Sequence, residues 1–589
     1  MLNYVATYFL MFVVTGPDGW LHDPYSDLTQ SDAVPEAMHL TRLFGQAYRL
    51  HSGIFIVVVI MLLMLFFWKT SIGLKINLTG QGEKVSTLTD EKDHELARKV
   101  AEESAVLLKN DSNILPLKDD DEVLIVGEMA IKPRYQGAGS SKIVVNRLDN
   151  IYESAIAANK KVKFSKGYEG LDINDELIEQ AKQDAKNYKK VVIVVGLPDE
   201  YEGEGYDRSS FSIPNSHIKL IKEISKVNKN IVVVLQGGSP FDLSWQGNAK
   251  GVLLTYLSGQ AGGSATVNLL WGQVNPCGKL AETWPIKLQD CPSYKYFPGK
   301  VKAVEYRESI YIGYRYYNTT NVDVYYPFGY GLSYTKFKYS GLKIVNNKNG
   351  SFVVKVNVTN TGKYSGKEIV ELYISKKDSK IFRAASELKA FSKVALKPGQ
   401  SKTVTLKLDK QAFRYYNTEA KKFAYESGKY EILIGKSSRD IALKGEVKID
   451  GDNLDTLLLS KYSKLSDYNN PSVPFKADKK QFETLLGHSA ASGELDKKGE
   501  YNLSSCLEDF RSTFVGRTVI KAISKSPASV MEDNADEGMK NNATSMVMTM
   551  PLRNAFMSGK INKKQVQGFV DIGNGHVVKG LVKIIKKNK

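Results

Sequence analysis

Four short runs decide what this chain can fold into. Val123-Leu124-Ile125-Val126, Val191-Val192-Ile193-Val194-Val195, Ile231-Val232-Val233-Val234-Leu235 and Gly251-Val252-Leu253-Leu254 are apolar without interruption. A strand with one wet face alternates, whereas a strand apolar throughout is covered on both faces, as in a parallel sheet. Between the second and third runs, Leu220, Ile221, Ile224 and Val227 recur at helical spacing after Pro214. This alternation predicts an α/β domain: an open, mostly parallel sheet with helices on both faces. Ligands of such sheets meet the loops that leave the carboxyl ends of the strands. Upstream, Leu96, Val100, Ser104 and Leu107 fall on one helical face, and Asn110 and Pro116 end that stretch.

Two of the loops are chemically unusual. Tyr135-Gln136-Gly137-Ala138-Gly139-Ser140-Ser141 follows the first strand, and its glycines let backbone approach a ligand closely. It lacks the third glycine of a dinucleotide fingerprint. The second loop, Asp199 to Arg208 after Val195, carries five acidic residues in nine positions. Two readings fit it. One is a solvated acidic loop. The other is a glycine-hinged loop presenting one carboxyl group, with Arg208 nearby to set its ionisation.

After Lys338 the period changes to two. Phe352, Val354, Val356 and Val358 alternate with polar residues, Ile369, Glu371, Leu372 and Tyr373 follow a Gly366 turn, and Val404-Thr405-Leu406-Lys407-Leu408 alternates strictly. With the late strand Tyr430 to Gly435, this predicts a β-sandwich of about 110 residues. Beyond Gly451 a polar linker leads to a helical tail rich in methionine (Met531, Met539, Met546, Met548, Met550, Met557). Methionine packs adaptably, so the tail reads either as a docking surface or as a small helical subdomain packed on its own chain. Its end interleaves Val577, Val578, Leu581, Val582 and Ile585 with lysines, a pattern that suits an anionic membrane surface as well as a packed helix.

The amino-terminal segment differs in kind. Ile54 to Trp68 is an unbroken apolar run closed by Lys69, and residues 52–72 approach the ~20 residues needed to cross a bilayer. Tyr4 to Val14 is a shorter apolar run with no basic residue before it, which fits a secretory signal poorly. Residues 1–85 are therefore read as a membrane segment with one or two transmembrane helices, and the protein as membrane-localised. Basic residues on both sides of the long run (Arg42, Arg49, Lys69, Lys75) leave orientation open. Met1-Leu2-Asn3-Tyr4, Trp20-Leu21-His22-Asp23-Pro24, Arg42-Leu43-Phe44-Gly45 and Lys69-Thr70-Ser71-Ile72-Gly73-Leu74 resemble a fragment of the sugar and nucleoside ABC-transporter permeases, over roughly the first 80 residues.

Composition excludes several classes. The 589 residues allow three or four domains, and 42% hydrophobic with 25% charged residues is globular, neither disordered nor collagen-like. Three cysteines, Cys277, Cys291 and Cys506, exclude a disulfide scaffold and fit no zinc pattern. The formal charge of +17 comes mainly from dispersed lysines, read as solvated surface with no nucleic-acid partner.

From about Thr87 to Asp450 the chain resembles the carboxyl-terminal part of glycoside hydrolase family 3, the β-glucosidase family. The stretches that carry this are Ala101 to Asn110, the Gly137-to-Ser141 loop and Glu204-Gly205-Tyr206-Asp207-Arg208. They continue through Gly259-Gln260-Ala261-Gly262-Gly263-Ser264-Ala265, Gly272-Gln273-Val274-Asn275-Pro276, Tyr314-Arg315-Tyr316-Tyr317 and Pro327-Phe328-Gly329-Tyr330-Gly331-Leu332-Ser333-Tyr334. Ser309 stands where the family usually has glycine, a departure that touches only a local turn. The resemblance implies an α/β sandwich domain over 86–335, a fibronectin type III-like domain over 336–450, and a linker and helical tail over 451–589. It implies a retaining β-glucosidase-like hydrolase needing no cofactor or metal, with Glu204 as general acid/base. It also implies substrate contacts at Ser140, Ser141, Asp207 and Arg208, with a β-glucoside or oligosaccharide as ligand.

A retaining glycosidase needs two carboxyl groups flanking the scissile bond. In the resembled family the nucleophile is an aspartate in a Ser-Asp-Trp motif on an amino-terminal barrel, and that motif occurs nowhere in this sequence. The nearest look-alike, Gly16-Pro17-Asp18-Gly19-Trp20, has different spacing. The expectation is that this chain supplies the acid/base half of an active site, either with a barrel acting in trans or as a truncated half-enzyme. The alternatives are a membrane-tethered sugar-binding module without turnover, or a transport component or chimeric product.

Overall fold

The computed structural model describes residues 87–139, 142–204, 207–208, 210–300, 302–347, 349–525, 544–558 and 561–585. Helix α1 spans Thr87–Ser104. It stops there, and Val106–Asn110 forms strand β1, pairing antiparallel with the last strand of the sheet through Leu107↔Leu253. The helical periodicity read from Leu96 through Leu107 therefore overran its element. Leu107 is strand core, while Leu96 and Val100 are 61% and 57% exposed. An edge strand buried on both faces carries the same apolar signal as a helix stripe, and five residues are too few to separate the two periods.

The remaining strands are β2 (Val123–Val126), β3 (Val162–Ser165), β4 (Lys190–Gly196), β5 (Ile231–Gln236) and β6 (Gly251–Tyr256). The sheet order is β1-β6-β5-β4-β2-β3, with β2 through β6 mutually parallel. The four predicted runs are its centre, and β3 is a less apolar edge that pattern alone passes over. Helices α2 (Ile151–Ala157), α3 (Asp175–Ala185), α4 (Asn215–Val227) and α5 (Gly262–Leu270) alternate with the strands. On α4 the buried stripe is Leu220, Ile221 and Ile224, as the periodicity predicts. Asn150 and Asn174 cap α2 and α3 by accepting the Glu153 and Leu177 N–H groups, so each helix starts where the sequence supplies an amide cap.

A second, wholly antiparallel unit follows. After the short ribbon β7 (Trp284–Pro285) and β8 (Val324–Tyr326), it is built from β9 (Phe337–Asn346), β10 (Phe352–Asn360), β11 (Gly366–Ser375), β12 (Glu387–Leu396), β13 (Ser401–Leu408), the ribbon β14 (Arg414–Asn417) and β15 (Lys422–Tyr425), β16 (Gly428–Gly435) and β17 (Ile441–Ile449), with one sheet in the order β13-β10-β9 and the other β12-β11-β16-β17. Val354, Val356 and Val358 face Val370, Leu372, Ile432 and Ile434 across one core. This is the predicted sandwich, with the period-2 residues inward. In the tail, Met548 joins Tyr501, Leu507, Phe510, Leu552, Val566 and Val570 in a separate small core. That favours the self-packed subdomain for this methionine.

The expected transmembrane helices and membrane localisation are corrected. Among the described residues no helix is long and apolar enough to cross a membrane. Residues 52–72, on which that expectation rested, lie outside the described residues, as do the permease-like stretches and Asp18.

Candidate active site

Loops leave the carboxyl ends of β2, β4, β5 and β6 side by side. The strands come so close at this edge that side chains are excluded. A Cβ on Gly196, the last residue of β4, would lie 1.7 Å from the Gln236 carbonyl oxygen, and one on Gly127 would lie 2.2 Å from the Val194 carbonyl oxygen. Gly127 also adopts φ +116°, a conformation side chains resist.

Arg134 organises the loops. It is only 6% exposed, yet its guanidinium donates to the Leu197 carbonyl at 3.3 Å, the Glu202 carbonyl at 2.9 Å and the Gln136 carbonyl. It also pairs with Asp199 Oδ1 at 2.6 Å. Its own N–H donates to Gln236 Oε1 at 2.7 Å. The cation thus ties the β2 and β4 loops together while the backbone N–H of the same residue holds them to the end of β5, and a buried charge needs such complete pairing. Asp199 also receives Lys142 at 2.8 Å. The loop after β6 joins through Gly259, whose N–H donates to the Tyr135 carbonyl at 2.9 Å.

The acidic loop is therefore not a merely solvated turn. Glu202 accepts from the Gly238 N–H at 2.6 Å and from Ser239 Oγ, which anchors it to the β5 end. Gly203 bridges to Ala138, and the Glu204 N–H donates to the Ala138 carbonyl at 3.3 Å. Glu204 is exposed, at the point where the two predicted loops meet. Asp207 is exposed as well, and Arg208 is half-buried and donates Nη2 to the Pro240 carbonyl at 2.8 Å. Arg208 Nη1 is buried and has no hydrogen-bond partner among the described residues. Ser140 and Ser141 lie outside the described residues.

Pattern reading missed Glu282. Burial, reinforced by the neighbouring Glu202 charge and opposed by Arg208, pushes its carboxyl up to about 7. Burial and Glu282 in turn push the Tyr256 phenol upward. Tyr256 ends β6 at φ 53°, a left-handed backbone unusual for an aromatic residue, and such strain clusters at functional sites. Neither Arg134 nor Glu282 sits in a motif. Their roles come from which strand ends the topology makes neighbours. His217 lies beneath the same edge, its ring 4.1 Å from that of Tyr168, and burial drives its imidazole down to about 3, so it is neutral. Among the described residues no cluster of histidine, cysteine and carboxylate is arranged to hold a metal ion.

Residues 105–334 match the Glycosyl hydrolase family 3 C-terminal domain. The chain carries that domain. Residues 368–438 match the fibronectin type III-like domain, so the sandwich that follows is of that type. Thermostable beta-glucosidase B of Acetivibrio thermocellus is 50% identical over 365 residues, 61% of this chain and 48% of that protein. An exo-alpha-(1->6)-L-arabinopyranosidase of Bifidobacterium breve is 37% identical over 415 residues, 68% of this chain and 54% of that one. The crystal structure of the Bifidobacterium adolescentis GH3 beta-glucosidase superposes with a TM-score of 0.60 at 40% identity, covering 62% of this chain and 54% of that one. The chain spans about half the length of the curated relatives it matches. These relatives carry glycosidase names.

Proposed function

We propose that the chain contributes the acid/base half of a retaining β-glucosidase-type active site, with Glu204 as the proton donor and acceptor. The observation that carries this reading is the position of Glu204. It is an exposed carboxylate on the β4 loop, its own N–H held by Ala138 of the neighbouring glycine loop. A loop suits an acid that must reach a sugar seated against another domain.

In the first step Glu204 protonates the glycosidic oxygen as a second carboxylate, about 5–5.5 Å away, attacks the anomeric carbon. In the second, Glu204 takes a proton from water as water releases the sugar. The partner carboxylate is proposed to come from a barrel domain outside residues 86–450, in trans. Arg208, with one donor unpartnered, is proposed with Asp207, Ser140 and Ser141 to bind sugar hydroxyls. A β-glucoside is the first substrate to test and an α-L-arabinopyranoside the second, because the matched relatives are named for both. Residues 86–335 and 336–450 are proposed as the domain limits.

The test is complementation. The purified 589-residue chain is assayed on aryl β-glucosides and α-L-arabinopyranosides, alone and with a separately expressed family barrel. Turnover only in the mixture, reduced by Glu204→Gln and most strongly for substrates with poor leaving groups, supports the proposal. Robust hydrolysis by the chain alone refutes the division of labour. Saturable sugar binding with no turnover in the mixture points to a binding module.

A further inference from the structure

The α/β domain and the sandwich meet at a compact polar cluster that the proposed chemistry does not use. Cys277 follows α5 and is 5% exposed. Its Sγ lies 3.4 Å from Lys393 Nζ on β12 and 3.4 Å from Glu103 Oε2 on α1. Glu103 pairs with Lys393 at 2.5 Å and also with Lys367 of β11. Lys393 is thus held by its carboxylate partner with its nitrogen against sulfur. The backbone around it is fixed too: Gly278 N–H donates to the Ala105 carbonyl at 3.2 Å, and Asn275 Nδ2 to the Ser365 carbonyl at 3.0 Å.

A thiol and an amine in contact have a definite oxidative chemistry. A sulfenic acid formed from a thiol condenses with a thiol to a disulfide or with a backbone nitrogen to a sulfenamide, and an unprotonated amine in contact with the sulfur is a stronger nucleophile than a backbone amide. We infer that Cys277 and Lys393 form an oxidant-driven covalent staple, a sulfenamide joining the α/β domain to the sandwich, with a hydroperoxide as the oxidant. The hydroperoxide first transfers one oxygen to sulfur, converting the thiol to a sulfenic acid and leaving an alcohol, or water when the oxidant is hydrogen peroxide. Lys393 sheds its ammonium proton to water, and its lone pair attacks sulfur. The S–N bond forms as the S–O bond breaks, and the second N–H proton leaves with the hydroxide as water. Sulfur and nitrogen together lose two electrons and two hydrogens, and one hydroperoxide is reduced. Burial pushes the thiol up and keeps it mostly protonated while Lys393 opposes this, so the staple accumulates slowly rather than acting as a fast sensor.

The test treats the intact chain with hydrogen peroxide, blocks the remaining thiols and maps peptides by mass spectrometry. The expected result is a linked pair containing Cys277 and Lys393 at the summed peptide mass less two hydrogens, reverting to both free peptides with dithiothreitol. Cys291, whose Sγ accepts a hydrogen bond from Tyr317 Oη at 3.5 Å, is the internal control and forms no lysine link. Cys277→Ser and Lys393→Gln both abolish the pair. Recovery of Cys277 in the wild-type chain as free thiol, or as sulfinic or sulfonic acid, without the linked pair overturns the inference. So does a link that retains oxygen. Both readouts come from unmutated protein and do not depend on the variants folding.

Discussion

Arg134 and Asp199 form an ion pair at 2.6 Å that holds the start of the acidic loop against the glycine loop. The arginine is nearly fully buried, so its remaining donors are as important as the pair itself. Replacing Arg134 by methionine keeps the stem and the backbone N–H but removes every side-chain donor. Three carbonyls and Asp199 then lose their shared partner. The expected cost is about 3–5 kcal/mol, the range for breaking a buried ion pair, read as a lower denaturation midpoint at unchanged slope. Loss of complementing activity well beyond the loss of folded protein is expected too, because Glu202 and Glu204 ride on the same loop.

The acid/base assignment has its own signature. With a barrel present, Glu204→Gln is expected to slow substrates with poor leaving groups by about 10²–10⁴-fold, the usual worth of a positioned acid. Aryl glycosides whose phenols leave readily need little protonation and lose much less in glycosylation. A uniform loss across leaving groups would assign Glu204 to binding instead.

Much of this architecture is legible in the sequence because its signals are strong and local. Valine-rich runs such as Ile231–Leu235 sit between turn residues, and Val354, Val356 and Val358 alternate cleanly. Leu107 reads as part of the helical face because a five-residue buried strand directly after a helix continues its apolar count. Glu204 is visible because it lies in a compact motif. Arg134 and Glu282 are not, since nothing near either residue announces the partner: Gln236 stands 102 positions from Arg134, and Glu202 reaches Glu282 only through the parallel order of β4, β5 and β6.

Glu103 gives a prediction for acid stability. Burial raises its proton affinity, but the hydrogen bonds from Lys367 and Lys393 more than offset that and hold the carboxyl down to about 2, from an ordinary 4.5. A depressed carboxylate stabilises the fold above its unfolded value and loses that contribution as pH falls through its folded one. Wild-type protein should therefore lose stability from about pH 4.5 towards 2 more steeply than Glu103→Gln. Because the site is partly solvated, the difference is on the order of 1 kcal/mol. Denaturant midpoints measured at intervals across that window check it, and parallel curves would remove Glu103 from the domain interface.

The proposed domain limits predict an autonomous pair. The sheet core and the sandwich core lie within residues 86–450, and Lys279 spans them by pairing with Glu368 at 3.5 Å and donating to the Lys436 carbonyl at 3.1 Å. A protein of residues 86–450 should be soluble and unfold cooperatively in a thermal scan. Aggregation without a transition would place the boundary elsewhere or show that the tail core is required.

Glu282 predicts the opposite pH response to Glu103. Its carboxyl is raised to about 7, chiefly by burial and then by Glu202, with Arg208 opposing. A carboxyl raised on folding keeps its proton in the folded state while the unfolded chain has already ionised. It therefore costs nothing below about pH 4.5, and destabilises the fold progressively as pH rises from there to about 7. A shift of this size corresponds to roughly 3 kcal/mol at most. Glu282→Gln keeps the shape of the protonated carboxyl, with an amide in its place that cannot ionise, so its stability should hold level where the wild type declines, with the two equal near pH 4. The same ionisation adds a second negative charge to the one on Glu202, within the electrostatic reach of Arg208. If Arg208 binds substrate as proposed, sugar affinity in the complemented enzyme should change across the same interval in the wild type and stay flat in the variant. Stability that is pH-dependent in both proteins alike would mean that Glu282 is solvated and ordinary.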